Sequence, residues 1–322
     1  MLPVWLLLAL APALASLALL LVPALLGAAP RRKVIIDQDA FGPGGPNLQP
    51  ILLVLQSPEV EVLGITVESG DGWQKENVAH TLRMLEIIGR TDVPVVAGAT
   101  LPLKNSPEAT KRWEARHGKL VYKGAWTEQW PPGTVNRRPI HAADVVPPSP
   151  EGEPTTKPLH ETADAFLVRT VREFPGEVSI LALGPQTNLA LALRRDPEFA
   201  ALAKEIVIMG GSFNPQAANN EFALEYAHTP RLEFNFRWDP EAADAVLRAP
   251  WRRIVLCPVD PTTKTLFKPE LIKRIAAADT PQRRFSSNKS SSVGGTRTSL
   301  ANVSAGSKKA PAKRCACASI SL

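Results

Sequence analysis

The sequence predicts an α/β protein built on an open, mostly parallel sheet with helices on both faces. Three observations carry that prediction. Short β-branched apolar runs of strand length alternate with longer segments of helical periodicity between Lys33 and Ala278. Acidic and amide residues follow directly after the strand runs, where open α/β sheets bind their ligands. The 322 residues, 44% hydrophobic, suffice for one large domain of this class or two small ones.

The first run is Val34-Ile35-Ile36, a buried strand that stops at Asp37 and Asp39 before a Gly/Pro loop. Asn47 to Gln56 reads as a helix, with Asn47 as N-cap and Pro50 in the first turn. Val60 to Val67 is a second strand, ending in Glu68-Ser69-Gly70-Asp71-Gly72. Val78, Leu82 and Leu85 fall at helical spacing between Gln74 and Ile88, and Gly89 closes that helix before a third strand at Val93–Ala97. Residues 101–158 break the pattern with dense prolines and the scattered Trp113, Trp126 and Trp130. Such an insertion is either a lid over the strand ends or a loosely packed excursion. His117 and His141 lie within it, and a lone loop histidine is more often solvated or structural than catalytic.

Order resumes at Glu161, where Ala163, Phe166, Leu167 and Val171 form one helical face. Strands are predicted at Val178–Leu183, Glu205–Met209 and Arg253–Cys257, with a short helix after the first of these and another opened by Asp239-Pro240-Glu241. Lys268 to Ala278 reads as helical.

The formal charge of +6 comes from the end of the chain: residues 286–322 hold six basic residues and no acidic one, and without them basic and acidic residues balance at 31 each. A neutral body lacks the basic face of a nucleic-acid-binding protein. The 286–322 segment, rich in Ser, Gly, Lys and Ala, reads as disordered. Of the three cysteines, Cys257 sits in an apolar run as a packed thiol, and Cys315 and Cys317 lack the second pair that a zinc site needs. Residues 1–29 carry no charge and end in Gly27-Ala28-Ala29, which predicts export through a signal peptide, with an uncleaved membrane anchor as the rival. The folded domain is then expected at 30–285.

If the strands are parallel, Asp37, Asp39, Asp71, Thr187, Asn188, Glu233, Asn235 and Asp260 gather at one rim. Oxygen-rich groups of this kind suit a hard cation and polyhydroxyl ligands such as sugars. The glycines at 42–45 are not G-x-G-x-x-G and no P-loop lysine follows, so a dinucleotide or ATP site is not supported.

Val34-Ile35-Ile36-Asp37-Gln38-Asp39 and the segment Ser57–Thr66 resemble the start of the inosine–uridine-preferring nucleoside hydrolases. Leu183–Ala190, Ile206–Gly211 and Glu233–Ala243 resemble further blocks of that family, in the family's order. The resemblance implies the nucleoside hydrolase fold, hydrolysis of the N-glycosidic bond of ribonucleosides, a small-molecule nucleoside or sugar ligand, a bound Ca²⁺ and a homo-oligomer. It implies that Asp39 binds calcium and serves as the catalytic base, with the Leu183 carbonyl also on the metal. Asp71, Met209, Glu233 and Asn235 are then the substrate-binding residues, and Asp37 stands behind the metal.

The chain also departs from the family. The first motif normally continues Pro-Gly-x-Asp-Asp, and here Pro46 and Asn47 stand at those places. Asn47 can offer a cation one neutral oxygen. The family's late His-Asp pair is not found, the pattern being lost after Phe285. Calcium affinity follows ligand charge and count, so weak binding or none is expected. Two readings follow: a ribonucleoside hydrolase, or a relative that binds a nucleoside or sugar without cleaving it. A third, with Asp37 and Asp39 as the nucleophile and acid of a haloacid dehalogenase-type phosphotransferase, leaves the blocks at 183–190 and 233–243 without a role.

Overall fold

A computed structural model describes residues 30–42, 47–120, 122–130, 139–213 and 233–262, with residues 270, 274 and 277 and a strand at 318–320 beyond them. The chain divides into two units, Met1–Arg31 and Arg32–Leu322. The predicted signal segment, most of the predicted helix at 268–278 and nearly all of the 286–322 tail lie outside the described residues.

The second unit is a seven-stranded sheet of order β3-β2-β1-β4-β5-β6-β7. Its strands are β1 (Arg32–Gln38), β2 (Val60–Val67), β3 (Val95–Ala97), β4 (Ser179–Ala182), β5 (Glu205–Met209), β6 (Ile254–Cys257) and β7 (Ala318–Ile320). β1 to β6 are mutually parallel, and β7 pairs antiparallel with β6. The predicted tail therefore contributes one short edge strand.

Side chains of β1 alternate between two apolar layers, which is why its apolar run has no polar face. Val34 and Ile36 pack with Ile65, Val67 and the helices α1 (Leu48–Gln56) and α2 (Gln74–Ile87). Ile35 packs on the other side with Ile180, Ile206 and Ile208 under α4 (Ala163–Glu173), α5 (Thr187–Arg195), α6 (Phe199–Leu202) and α8 (Pro240–Arg248). Each helix thus shields one face of a sheet that has none to spare for solvent. Gly89, at φ +71°, ends α2 as predicted.

The 101–158 insertion is more ordered than the sequence suggests. It contains α3 (Pro107–His117) and a 3₁₀ turn at Gly124–Trp126. Ser106 caps α3 by accepting from the Ala109 N–H, and Pro107 follows in the first turn. Only Thr110 and Glu114 of this helix are buried, so its sequence carries no apolar stripe to announce it. The 3₁₀ turn docks at the end of β2, where Ala125 N donates 2.8 Å to the Gly70 carbonyl. Trp126 stacks on Trp238 of α7 (Phe234–Trp238), ring centroids 3.9 Å apart. This part of the insertion is packed over the strand ends.

From β1 the chain winds outward through β2 and β3, then returns to the other side of β1 and continues through β4, β5 and β6. The reversal lies between β1 and β4. In such sheets the carboxyl ends of the two diverging strands leave a crevice.

Candidate active site

Asp37 belongs to β1 and Asp39 follows its carboxyl end, at that reversal. The registers bring the next strand ends level with them: Glu68 N donates to the Gln38 carbonyl and Leu183 N to the Asp37 carbonyl. Asp39 is fully buried in a cradle of backbone. A Cβ built on Gly70 would lie 2.2 Å from Asp39 Oδ2, and one on Gly184 would lie 3.0 Å from its carboxyl carbon. Glycine at both positions is what lets the two loops close on the carboxylate.

Asp39 Oδ2 accepts the Asp71 N–H at 2.8 Å, and Oδ1 accepts Asn47 Nδ2 at 3.0 Å. The same Asn47 nitrogen reaches Asp71 Oδ2 at 3.2 Å. Asp71 Oδ1 accepts the Tyr122 hydroxyl at 2.8 Å. Burial, followed by the neighbouring Asp71 charge, holds the Asp39 carboxyl well above its ordinary range, against the pull of the Asp71 N–H and Asn47. Asn47 was expected to cap α1. Its side chain makes no cap hydrogen bond and turns to the two carboxylates, because two anionic acceptors outbid one backbone N–H.

Behind Asp39 lies a second acidic pair. Asp37 Oδ1 accepts from Thr66 Oγ1 and from Asn188 Nδ2. Glu68 Oε2 accepts the Asn188 N–H at 3.0 Å. The remaining oxygens, Asp37 Oδ2 and Glu68 Oε1, are buried without a donor among the described residues. Burial raises Asp37 to about 7, and burial plus the Asp37 charge raises Glu68 well above its usual value.

On the β4–β5 side, Asn235 Nδ2 donates 3.2 Å to the Leu183 carbonyl and 2.9 Å to the Met209 carbonyl, and lies 3.2 Å from the Met209 sulfur. Glu233 is the N-cap of α7. Its oxygens accept the N–H groups of Gly211, Asn235 and Phe236, each at 2.9 Å. Burial raises its carboxyl against those three donors. Since Gly184, beside Leu183, touches Asp39, the predicted residues Asp39, Asp71, Asn47, Leu183, Met209, Glu233 and Asn235 line one rim. Asp260 stands apart at the start of α9 (Val259–Thr262), accepting the Phe213 N–H.

Two groups at the rim were not among the predicted site residues. Glu68 follows β2 as directly as Asp39 follows β1, so its position was readable. Tyr122 comes from the irregular insertion, and no periodicity or motif marks it.

The donors around Asp39 do not fit the calcium ion that the resemblance implies. Calcium takes six to eight oxygens. Here both Asp39 oxygens accept protein N–H groups, the Leu183 carbonyl accepts from Asn235, and Asn47 presents nitrogen rather than oxygen. No group of three or more His, Cys, Asp or Glu among the described residues is placed to hold a metal.

Known proteins share this architecture and sequence. A family model described as inosine-uridine preferring nucleoside hydrolase matches residues 34–310, running beyond the expected domain end at 285. The chain is 38% identical over 216 residues to a probable uridine nucleosidase 1 of Oryza sativa, covering 67% of this chain and 55% of that protein. It is 38% identical to uridine nucleosidase 1 of Arabidopsis thaliana, over 66% of this chain and 52% of that one. It is 32% identical to the pyrimidine-specific ribonucleoside hydrolase RihA of Escherichia coli, over 77% and 67%. The solved structure of a plant nucleoside hydrolase superposes with a TM-score of 0.59 at 28% identity, covering 81% of this chain and 70% of that one. The chain spans little more than half the length of the plant relatives. With a family model matched across most of its length, and the fold shared with a solved nucleoside hydrolase, the chain belongs to the inosine-uridine preferring nucleoside hydrolases.

Proposed function

We propose that the protein hydrolyses the N-glycosidic bond of a ribonucleoside or a related N-glycoside, with Asp39 as general base. The observation that carries this reading is the buried Asp39, raised in basicity and flanked by Asp71 at the crevice between β1 and β4. A carboxyl held above its ordinary range is a stronger base toward water than a solvated one. Each Asp39 oxygen has a lone pair beyond the hydrogen bond it already accepts. In this reading Asp39 takes one proton from water, and the remaining hydroxide bonds to the anomeric carbon. The glycosidic bond breaks, and its electron pair leaves with the nucleobase. Asp39 and Asp71 stabilise the positive charge that develops on the sugar. The names of the relatives support a uridine or other pyrimidine nucleoside as first substrate to test.

A second reading is supported by the closed hydrogen bonding of Asp39: a protein that holds a nucleoside or sugar without cleaving it. Reducing sugar released from uridine and inosine separates the two. The hydrolase reading expects release by the wild type and a fall of ~100-fold or more in Asp39→Asn. No release, with nucleoside binding detected by calorimetry, establishes the second reading in its place.

A further inference from the structure

We propose that Asn47 is a positioning residue that does the work of a cation, holding the Asp39 and Asp71 carboxylates together with its two amide hydrogens, so that this site assembles without calcium. The inference rests on the geometry of the rim and not on the hydrolase reading.

Asn47 Nδ2 lies 3.0 Å from Asp39 Oδ1 and 3.2 Å from Asp71 Oδ2. An amide nitrogen carries two hydrogens, one for each carboxylate. The orientation of the amide follows from its surroundings: turned over, its oxygen would face two carboxylate oxygens with nothing between. Two carboxylates in one partly buried place repel, and something with donor character must stand between them. A divalent ion does this with charge, at the cost of needing a full shell of oxygens. Asn47 does it with neutral hydrogen bonds, and the remaining oxygens of the pair are met by the Asp71 N–H and the Tyr122 hydroxyl. Each of the four oxygens therefore has a protein donor.

The local chain supports this use of the side chain. Asn47 heads α1 with helical backbone angles, φ −70° and ψ −32°, and leaves that helix without a side-chain cap. A capping asparagine would sit in the extended region and bond back to the helix. This one forgoes the cap in favour of the carboxylates.

Calcium binding and thermal unfolding of the wild type, Asn47→Asp and Asn47→Ala, each in excess CaCl₂ and in excess EDTA, test the proposal. The wild type is expected to melt at the same temperature in both, within about 1 °C, and to give no saturable heat when titrated with CaCl₂. Asn47→Asp places a third carboxylate beside the other two. It is expected to lose about 4 °C or more in EDTA, to regain it in CaCl₂ and to bind calcium saturably. Asn47→Ala removes both donors and is expected to melt below the wild type in EDTA. Saturable calcium binding by the wild type overturns the proposal. So does an Asn47→Asp protein indifferent to calcium, or an Asn47→Ala protein as stable as the wild type. If Asn47→Asp does not fold in either buffer, the wild-type titration and Asn47→Ala decide. None of these readouts requires nucleoside cleavage, so an inactive chain leaves them intact.

Discussion

Asp37 shows how one buried side chain can couple stability to pH. Its carboxyl is raised to about 7 by burial, against an ordinary value of 3.8. Folding therefore takes up a proton between roughly pH 4 and 7, and stability falls as pH rises through that window. Asparagine at this position has the same shape, keeps an oxygen for Thr66 and Asn188, and brings no charge to bury. Asp37→Asn should be near neutral at about pH 4 and more stable than the wild type at about pH 8, by up to about 4 kcal/mol. Urea unfolding at the two pH values checks this, and a variant less stable at both would refute a carboxyl raised by burial. The Asp-Gln-Asp at the end of β1 was legible because an apolar run stopped abruptly at it. What it hid was the division of labour, since nothing in the spacing tells a carboxyl bonded to Thr66 and Asn188 from one bonded to Asn47.

At the scale of elements, the strands and the helices that cover them were legible wherever burial imposed a period. β1, β2, β4 and β5 and the helices α2, α4 and α5 lie within a residue or two of their predicted bounds. α3 was missed because it buries only two polar residues, and α6 because four residues cannot show a period. The opening of α8 was read from Asp239-Pro240-Glu241, and the structure adds what that Asp does besides. Fully buried, Asp239 accepts from Ala242 N at 3.1 Å, from Leu103 N at 2.8 Å and from Thr187 Oγ1 at 2.8 Å. It joins α8, α5 and the start of the insertion at one point. Asp239→Ala should cost about 2–4 kcal/mol, a lost cap plus two donors left without an acceptor. Denaturant midpoints check this. A change under about 1 kcal/mol would mean that water replaces the carboxylate.

For the folded unit as a whole, the insertion is the part whose attachment most affects the crevice, because it brings Tyr122 to Asp71. Its far end is tied to α2 by polar contacts. Glu86 Oε1 accepts the N–H and hydroxyl of both Thr155 and Thr156, His80 meets Glu151, and His141 meets Glu76. Burial pushes the Glu86 carboxyl up, but Thr156, Arg83 and Thr155 together pull it down to about 2. The contribution of that clamp is complete above about pH 4.5 and is lost as pH falls toward 2. Glu86→Ala should therefore expose residues 139–160 to limited proteolysis at neutral pH, with the cuts mapped by mass. An unchanged digestion pattern would show that the histidine contacts hold the segment alone. None of this clamp was legible in the sequence, since its members lie some 70 residues apart and carry no motif.

The two glycines at Asp39 have a consequence for reading other chains of this kind. Gly70 and Gly184 do not have positive φ, so their backbones alone would accept alanine. At Gly70 the Asp39 carboxylate and the Pro185 ring leave no room for a methyl group, and at Gly184 the Asp39 carboxyl and its own backbone nitrogen crowd one. A homologue with a methyl group at the position of Gly70 must have shifted its aspartate and the proline loop beside it, and one letter of its sequence is enough to say so.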